Sequence, residues 1–289
     1  MPNIHQEDGF LKAKDNLPLF WCVSRPAGTP RAAIALLHGY LDHSGRYGEV
    51  ISLLASRGFV VYALDFRGHG QSGGKRAFVD SYTEYLDDLD TFLAFVREKE
   101  PNLKRFLIAH SQGGLIGIRY LMSHPDAVSG AAFSAPYLRP IFQPVLKAAA
   151  ARVLSRVLPA LRLATGLGAD TLTSDVAIQK ATESDVLYQH HATPRWFTEV
   201  TATQDEVMRR ATEFVTPFVA LVPEADPVAD PRATQRFVEH ATSKDKRYVG
   251  FAGLRHEPFN EVKRQEVFAA LLSWLEARSG ETDARVQAT

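Results

Sequence analysis

Along the chain, short apolar runs alternate with stretches in which apolar residues recur every three or four positions. Ala32–Leu37, Phe59–Leu64, Arg105–Ala109, Val128–Ser134, Thr216–Val222 and Lys246–Phe251 have the length of strands, and most are apolar at successive positions. Continuous apolar character predicts strands covered on both faces, as in a parallel sheet. Between them, Tyr47–Arg57, Tyr82–Lys99, Leu115–Ser123, Arg232–Ala241 and Glu257–Arg278 follow a helical period. In the second of these the stripe is Tyr85, Leu89, Phe92, Leu93 and Val96, with Asp87, Asp88 and Asp90 biasing the first half acidic. Phe10–Lys14 and Leu19–Ser24 predict a hairpin that turns at Asp15 and Asn16. The βαβα alternation predicts an α/β open sheet with right-handed crossovers.

From Pro136 to Glu213 the alternation stops, and only helical pattern is expected there. Gln143–Leu161 is the clearest part: Val145, Leu146, Ala149, Val153, Leu154, Val157, Leu158 and Leu161 form a broad apolar face. An insertion between two sheet strands tends to sit near their carboxyl ends, where ligands bind, so it predicts a lid. The expected division is a sheet core over 1–135 and 214–279, a helical cap over 136–213 and a flexible polar tail over 280–289.

Composition works by exclusion. Among 289 residues, 33 Lys and Arg balance 33 Asp and Glu, so no bulk charge favours nucleic acid. The lone Cys22 permits no internal disulfide and no cysteine zinc site. No apolar run approaches a membrane span, and Met1–Gly9 lacks the features of a secretory signal. The expectation is a soluble, cytoplasmic chain.

The candidate chemistry starts at Ala109-His110-Ser111-Gln112-Gly113-Gly114, between a predicted strand and a predicted helix. A serine at a sharp strand-to-helix turn needs small residues two before and two after it, here Ala109 and Gly113. The turn lifts the hydroxyl above the sheet and aims the first helical N–H groups at whatever binds there. A serine hydroxyl needs a base. Of ten histidines, His256 has the right address, in the loop after the last predicted strand. His110 flanks the serine, but its side chain is expected to point away from the exposed oxygen. The base needs an orienting carboxylate. Glu224, Asp226 and Asp230 compete in the loop after Thr216–Val222; Asp226 is favoured, and Asp230 also reads as a helix N-cap. The order Ser111, Asp226, His256 is that of the α/β-hydrolase fold. Two N–H donors should stabilise the developing oxyanion: Gln112 after the serine, and Tyr40 in the His38-Gly39-Tyr40 loop. Gly68-His69-Gly70-Gln71-Ser72-Gly73 is a literal dinucleotide fingerprint, but no helix follows it directly. It reads instead as a tight loop with Asp65 and Arg67 fixing its ends. No metal-ligand motif or phosphate loop is present in the sequence.

Leu37-His38-Gly39-Tyr40, His43-Ser44-Gly45-Arg46-Tyr47, Asp65-Phe66-Arg67-Gly68-His69-Gly70-Gln71-Ser72, the serine turn, the Asp226 loop and His256-Glu257-Pro258-Phe259-Asn260-Glu261 together resemble the monoacylglycerol lipase and lysophospholipase branch of the α/β-hydrolases. The resemblance runs over about residues 10–278. It implies an eight-stranded, mostly parallel sheet with a helical cap, no cofactor, and hydrolysis of single-chain acyl esters. It carries Ser111, Asp226 and His256 over as the triad, and the amides of Tyr40 and Gln112 as the oxyanion hole. Two positions depart from its usual glycines: Ala109 before the serine and Pro223 at the start of the acid loop, where a fixed φ shifts the carboxylate slightly. The expected substrate contacts are His38, Gly39, His110, Trp196 and Phe197, with the apolar face of Gln143–Leu161 as the acyl wall. The cap is also a candidate for transient contact with a membrane or micelle surface. A general carboxylesterase, thioesterase or peptidase on the same fold, or a non-catalytic small-molecule receptor, are the rival readings.

Overall fold

The computed structural model describes residues 5–142 and 145–280, with the side chains of 145–148 left aside. The chain opens with β1 (His5–Lys12) and β2 (Pro18–Arg25), an antiparallel hairpin. Both strands are longer than the apolar pattern indicated, because β1 is largely exposed and carries little hydrophobic signal. The turn holds Asn16 at φ 64°, a conformation that Asn tolerates better than most residues. Then follow β3 (Ala32–Leu37), α1 (Gly48–Ser56), β4 (Phe59–Leu64), α2 (Tyr82–Lys99), β5 (Arg105–His110), α3 (Gln112–Ser123) and β6 (Gly130–Ser134). The next segment supplies α4 (Val145–Val157), β7 (Leu163–Ala164), α5 (Ala169–Leu172), α6 (Val176–Ser184), β8 (His191–Ala192) and α7 (Pro194–Arg209). The chain closes with β9 (Phe218–Pro223), α8 (Pro231–His240), β10 (Lys246–Phe251) and α9 (Arg264–Ser279).

Eight strands form one sheet in the order β1-β2-β4-β3-β5-β6-β9-β10. From β4 to β10 the pairs are parallel; β2 meets β4 antiparallel. Alternate residues feed opposite faces, as the pleat requires. Ala33, Ala35 and Leu37 of β3 pack toward Tyr85, Leu89, Phe92, Leu115 and Ile118 of α2 and α3. Ala32, Ile34 and Leu36 pack toward Val50 and Leu54 of α1 and toward Phe268 and Leu271 of α9. Both faces are therefore covered, which explains the unbroken apolar runs. The chain leaves β3 for β4 on one side and returns to β5 on the other. The carboxyl ends of β3 and β5 thus bracket the switch point at which open α/β sheets bind ligands.

Two expectations about elements need correction. The segment between β6 and β9 is not purely helical: β7 and β8 pair antiparallel over two residues each. A two-residue ladder is too short to leave a periodic signal. The last helix begins at Arg264, not Glu257; a 3-10 turn spans Pro258–Asn260. Glu257 and Glu261 turn their carboxylates inward there, taking hydrogen bonds from Arg46, Ser174 and the Arg255 amide. Of the helix expected over Gln143–Leu161, residues 143–144 lie outside the described residues, as does the tail beyond Gly280. Gly68–Gly73 is a loop, with α2 starting only at Tyr82. Asp65 binds the Ser44 and Gln71 amides, and Arg67 forks onto Asp88 at 2.6 Å through each of two nitrogens.

Candidate active site

Ser111 stands between β5 and α3 with φ 49° and ψ −115°. A non-glycine residue held there is strained and persists only where its surroundings over-determine it. Here the Ser111 amide donates to the Ser134 carbonyl at 2.9 Å, and its own carbonyl accepts from Tyr137 and Leu115. The turn is tight: a Cβ at Gly113 would lie 2.5 Å from the His38 carbonyl oxygen, and one at Gly114 would lie 2.9 Å from Cβ of Pro136.

Loops after β9 and β10 bring the other two groups to the same edge. Asp226 is 5% exposed; its Oδ1 accepts the amides of Val228 at 2.7 Å and Ala229 at 3.0 Å. Its Oδ2 accepts from His256 Nδ1 at 2.8 Å. That leaves His256 Nε2 to accept from Ser111 Oγ at 2.9 Å. Burial alone would lower the His256 pKa, but the Asp226 carboxylate, with Glu257 and Asp42 behind it, outweighs burial and raises it above 6.5. The neighbouring His110 goes the other way. Burial first, then the His256 charge, push it down to about 4, so it stays neutral. Its Nδ1–H donates to the Ser134 carbonyl at 3.1 Å and its ring stands 5.1 Å from that of His256. Glu224 is exposed and Asp230 caps α8 by accepting the Arg232 amide, so neither competes with Asp226.

Two backbone amides expected as oxyanion donors are those of Tyr40 and Gln112. Neither finds an acceptor among the described residues. His38 sets the first of them. Its Nε2 accepts the Phe66 amide at 2.9 Å, which places the ring proton on Nδ1, 2.6 Å from the Gly39 carbonyl. Holding that carbonyl turns the Tyr40 N–H to the opposite side of the trans peptide.

A small cavity of roughly 70 Å³ opens onto Ser111 and His256. Gly39, Tyr40, His110 and Trp196 line it. Two expected contacts do not. His38 is 0% exposed and acts behind the wall through Gly39. Phe197 faces a separate groove with Arg152 and Thr201. No described side chain of α4 lines the cavity. That helix packs on the outer side of α7, and Val153 and Val157 are 62% and 64% exposed. Tyr137, Leu167, Leu172 and Val228 supply the apolar wall instead. They come from irregular loops, where no periodicity marks them. Asp42 and Glu257 line the polar end, with Arg46 bonded to both. Burial opposes the Asp42 charge, but Arg46, held against it, keeps that carboxyl well below its usual range. Among the described residues no cluster could hold a metal ion.

The sequence matches the family described as serine aminopeptidase, S33, over residues 28–263. It is 30% identical over 253 residues to the monoacylglycerol lipase of Mycolicibacterium smegmatis, covering 86% of this chain and 90% of that protein. It is also 30% identical to phospholipase YtpA of Bacillus subtilis, covering 84% and 95%. Among solved structures, the monoacylglycerol lipase of Paleococcus ferrophilus superposes with a TM-score of 0.79 at 32% identity, covering 94% of this chain and 98% of that one. The family match, the eight-stranded sheet and these likenesses agree: the chain belongs to the S33 serine aminopeptidase family of α/β-hydrolases and is similar within it to monoacylglycerol lipases.

Proposed function

We propose that this protein is a serine hydrolase that cleaves single-chain acyl esters, of the monoacylglycerol or lysophospholipid type, with residues 136–213 acting as a cap. The observation that carries the reading is the unbroken relay from Ser111 Oγ through His256 to Asp226, at 2.9 and 2.8 Å, beneath a largely apolar cavity. Ser111 Oγ attacks the ester carbonyl while His256 Nε2 takes its proton. Asp226 fixes the imidazole tautomer and stabilises the imidazolium. The Tyr40 and Gln112 amides receive the charge on the carbonyl oxygen. His256 then protonates the leaving alcohol, and water repeats the cycle on the acyl-enzyme. Each CH₂ of an acyl chain buried against Leu167, Leu172 and Trp196 adds about 0.8 kcal/mol, which favours medium to long chains. The polar end at Asp42 and Glu257 suits a hydroxylated leaving group. Monoacylglycerol lipase and phospholipase are also the names of the relatives cited above.

The cap's outer surface supports contact with a lipid aggregate. Phe142, Val157 and Leu158 are 78%, 64% and 53% exposed, and no helix among the described residues is long and apolar enough to cross a membrane. One observation favours a peptidase as the second reading: two carboxylates line the cavity, as a substrate ammonium would need. Both are spent on Arg46, which weighs against it. The test is a panel of acyl esters from short to long, with monoacylglycerol, lysophospholipid and aminoacyl amides, and Ser111→Ala as blank. Activity confined to the shortest esters, or to amides, overturns the lipase reading.

A further inference from the structure

Tyr40 and Gln112 are the proposed oxyanion donors through their backbone amides, and their side chains meet at one residue in the cavity wall. The Tyr40 ring stacks on the Trp196 indole, with centroids 3.5 Å apart and planes 6° from parallel. The same indole donates its Nε1–H to the side-chain oxygen of Gln112. Trp196 is the third residue of α7, so it belongs to the insertion and not to the sheet. We infer that Trp196 is a positioning residue for the oxyanion hole: one cap side chain sets both amide donors, so the cap takes part in the chemistry as well as covering it. This rests on the serine-hydrolase reading above.

Three features make the link mechanical. First, Trp196 is itself held. Thr193 Oγ1 donates to the Ala77 carbonyl at 2.8 Å, Glu199 accepts the Tyr82 amide at 2.9 Å, and Gln204 donates to the Tyr137 carbonyl at 2.8 Å. The first two tie α7 to the sheet core, and the third ties it to the loop after β6. Second, the Tyr40 hydroxyl donates to the same Ala77 carbonyl at 2.8 Å. The ring is thus pinned at its face and its tip, and the Cα that carries the amide cannot rotate independently of it. Third, Gln112 is 0% exposed, and the indole N–H is the only partner of its side-chain oxygen among the described residues. Losing that donor leaves a buried acceptor unpaired, and the residue after the nucleophile must shift to regain a partner. Donors worth 10²–10³ in rate when removed outright lose part of that when displaced.

The test uses Trp196→Phe, which keeps a ring for Tyr40 and removes the N–H, and Gln112→Met, which keeps the backbone amide and removes the acceptor. Rates on a medium-chain 4-nitrophenyl ester are normalised to active sites titrated with a fluorophosphonate. Two inhibitors separate positioning from wall contact. An alkyl trifluoromethyl ketone takes Ser111 Oγ at its carbonyl carbon, passing the hydroxyl proton to His256 and leaving its oxygen as an anion in the hole. The matching trifluoromethyl alcohol binds without reacting. The expected result is a fall in kcat of about tenfold for each single variant with KM within twofold. The ketone Ki should rise by the same factor, with the alcohol Ki within twofold, and the double variant should be no worse than the poorer single one. Unchanged kcat, equal losses for ketone and alcohol, or multiplying losses in the double variant each overturn the inference alone. If Ser111→Ala hydrolyses as fast as the natural chain, the serine-hydrolase reading falls and takes this inference with it.

Discussion

Arg46 grips Glu257 through two hydrogen bonds of 2.8 Å each, and Glu257 is the residue beside His256, the proposed base. A third bond of 3.0 Å runs from Arg46 to Asp42. One guanidinium therefore neutralises much of two buried carboxylates at the rim of the site. Removing it by Arg46→Met leaves both behind. Breaking a buried pair in this way costs about 3–5 kcal/mol, to be read from the denaturant midpoint. The added negative charge near His256 should also favour its imidazolium, moving the acid limb of kcat/KM to higher pH. An unchanged limb would separate Arg46 from the electrostatics of the base.

The base must be neutral to accept the Ser111 proton, so kcat/KM should rise with pH as His256 deprotonates. Its pKa is raised, so the midpoint should lie above 6.5. The same shift adds stability that is complete below the unfolded-state value and disappears as pH rises through the folded-state one. A pH–rate profile with its midpoint near the 4 of His110 would assign the base to that residue instead.

Ser111→Ala should lower kcat by at least about 10⁴-fold with little change in stability. Gly113→Ala should do something different. Its Cβ would meet the His38 carbonyl at 2.5 Å, pushing apart the serine turn and the loop that carries Tyr40. The expected loss is about 1–3 kcal/mol of stability, together with a kcat deficit that survives normalisation to folded protein. Retention of full kcat would show that the turn can relax without moving the donors.

Val157→Ser with Leu158→Ser alters exposed positions on the cap. Surface changes of this kind usually stay within about 0.5 kcal/mol, and turnover of a water-soluble short ester should hold. Partition onto phosphatidylcholine vesicles, measured by flotation, should fall. Equal flotation of variant and natural chain would remove this face from the membrane proposal.

Much was legible in the chain because its signals are local. Five of the six parallel strands announced themselves as apolar runs, since burial on both faces demands apolar residues at every position; β10, at the sheet edge, is mostly exposed or half-buried. The serine turn was legible because steric crowding restricts Ala109, Gly113 and Gly114 to small residues. The exposed β1 carries little apolar signal, and helical spacing alone does not say which neighbour Phe197 meets.

The sequence by itself determined the alternating layers, the chain order of Ser111, Asp226 and His256, and the loops that carry them, all of which depend on near neighbours along the chain. Tertiary structure alone decided that Val153 and Val157 of α4 face outward, that Leu167 and Leu172 line the cavity, and that Arg46 sits between Asp42 and Glu257. It also decided that Trp196 joins Tyr40 to Gln112 across gaps of 156 and 84 positions in the chain. Contacts of that kind arise when separate loops pack onto one sheet edge, and no local periodicity encodes which side chains will meet there.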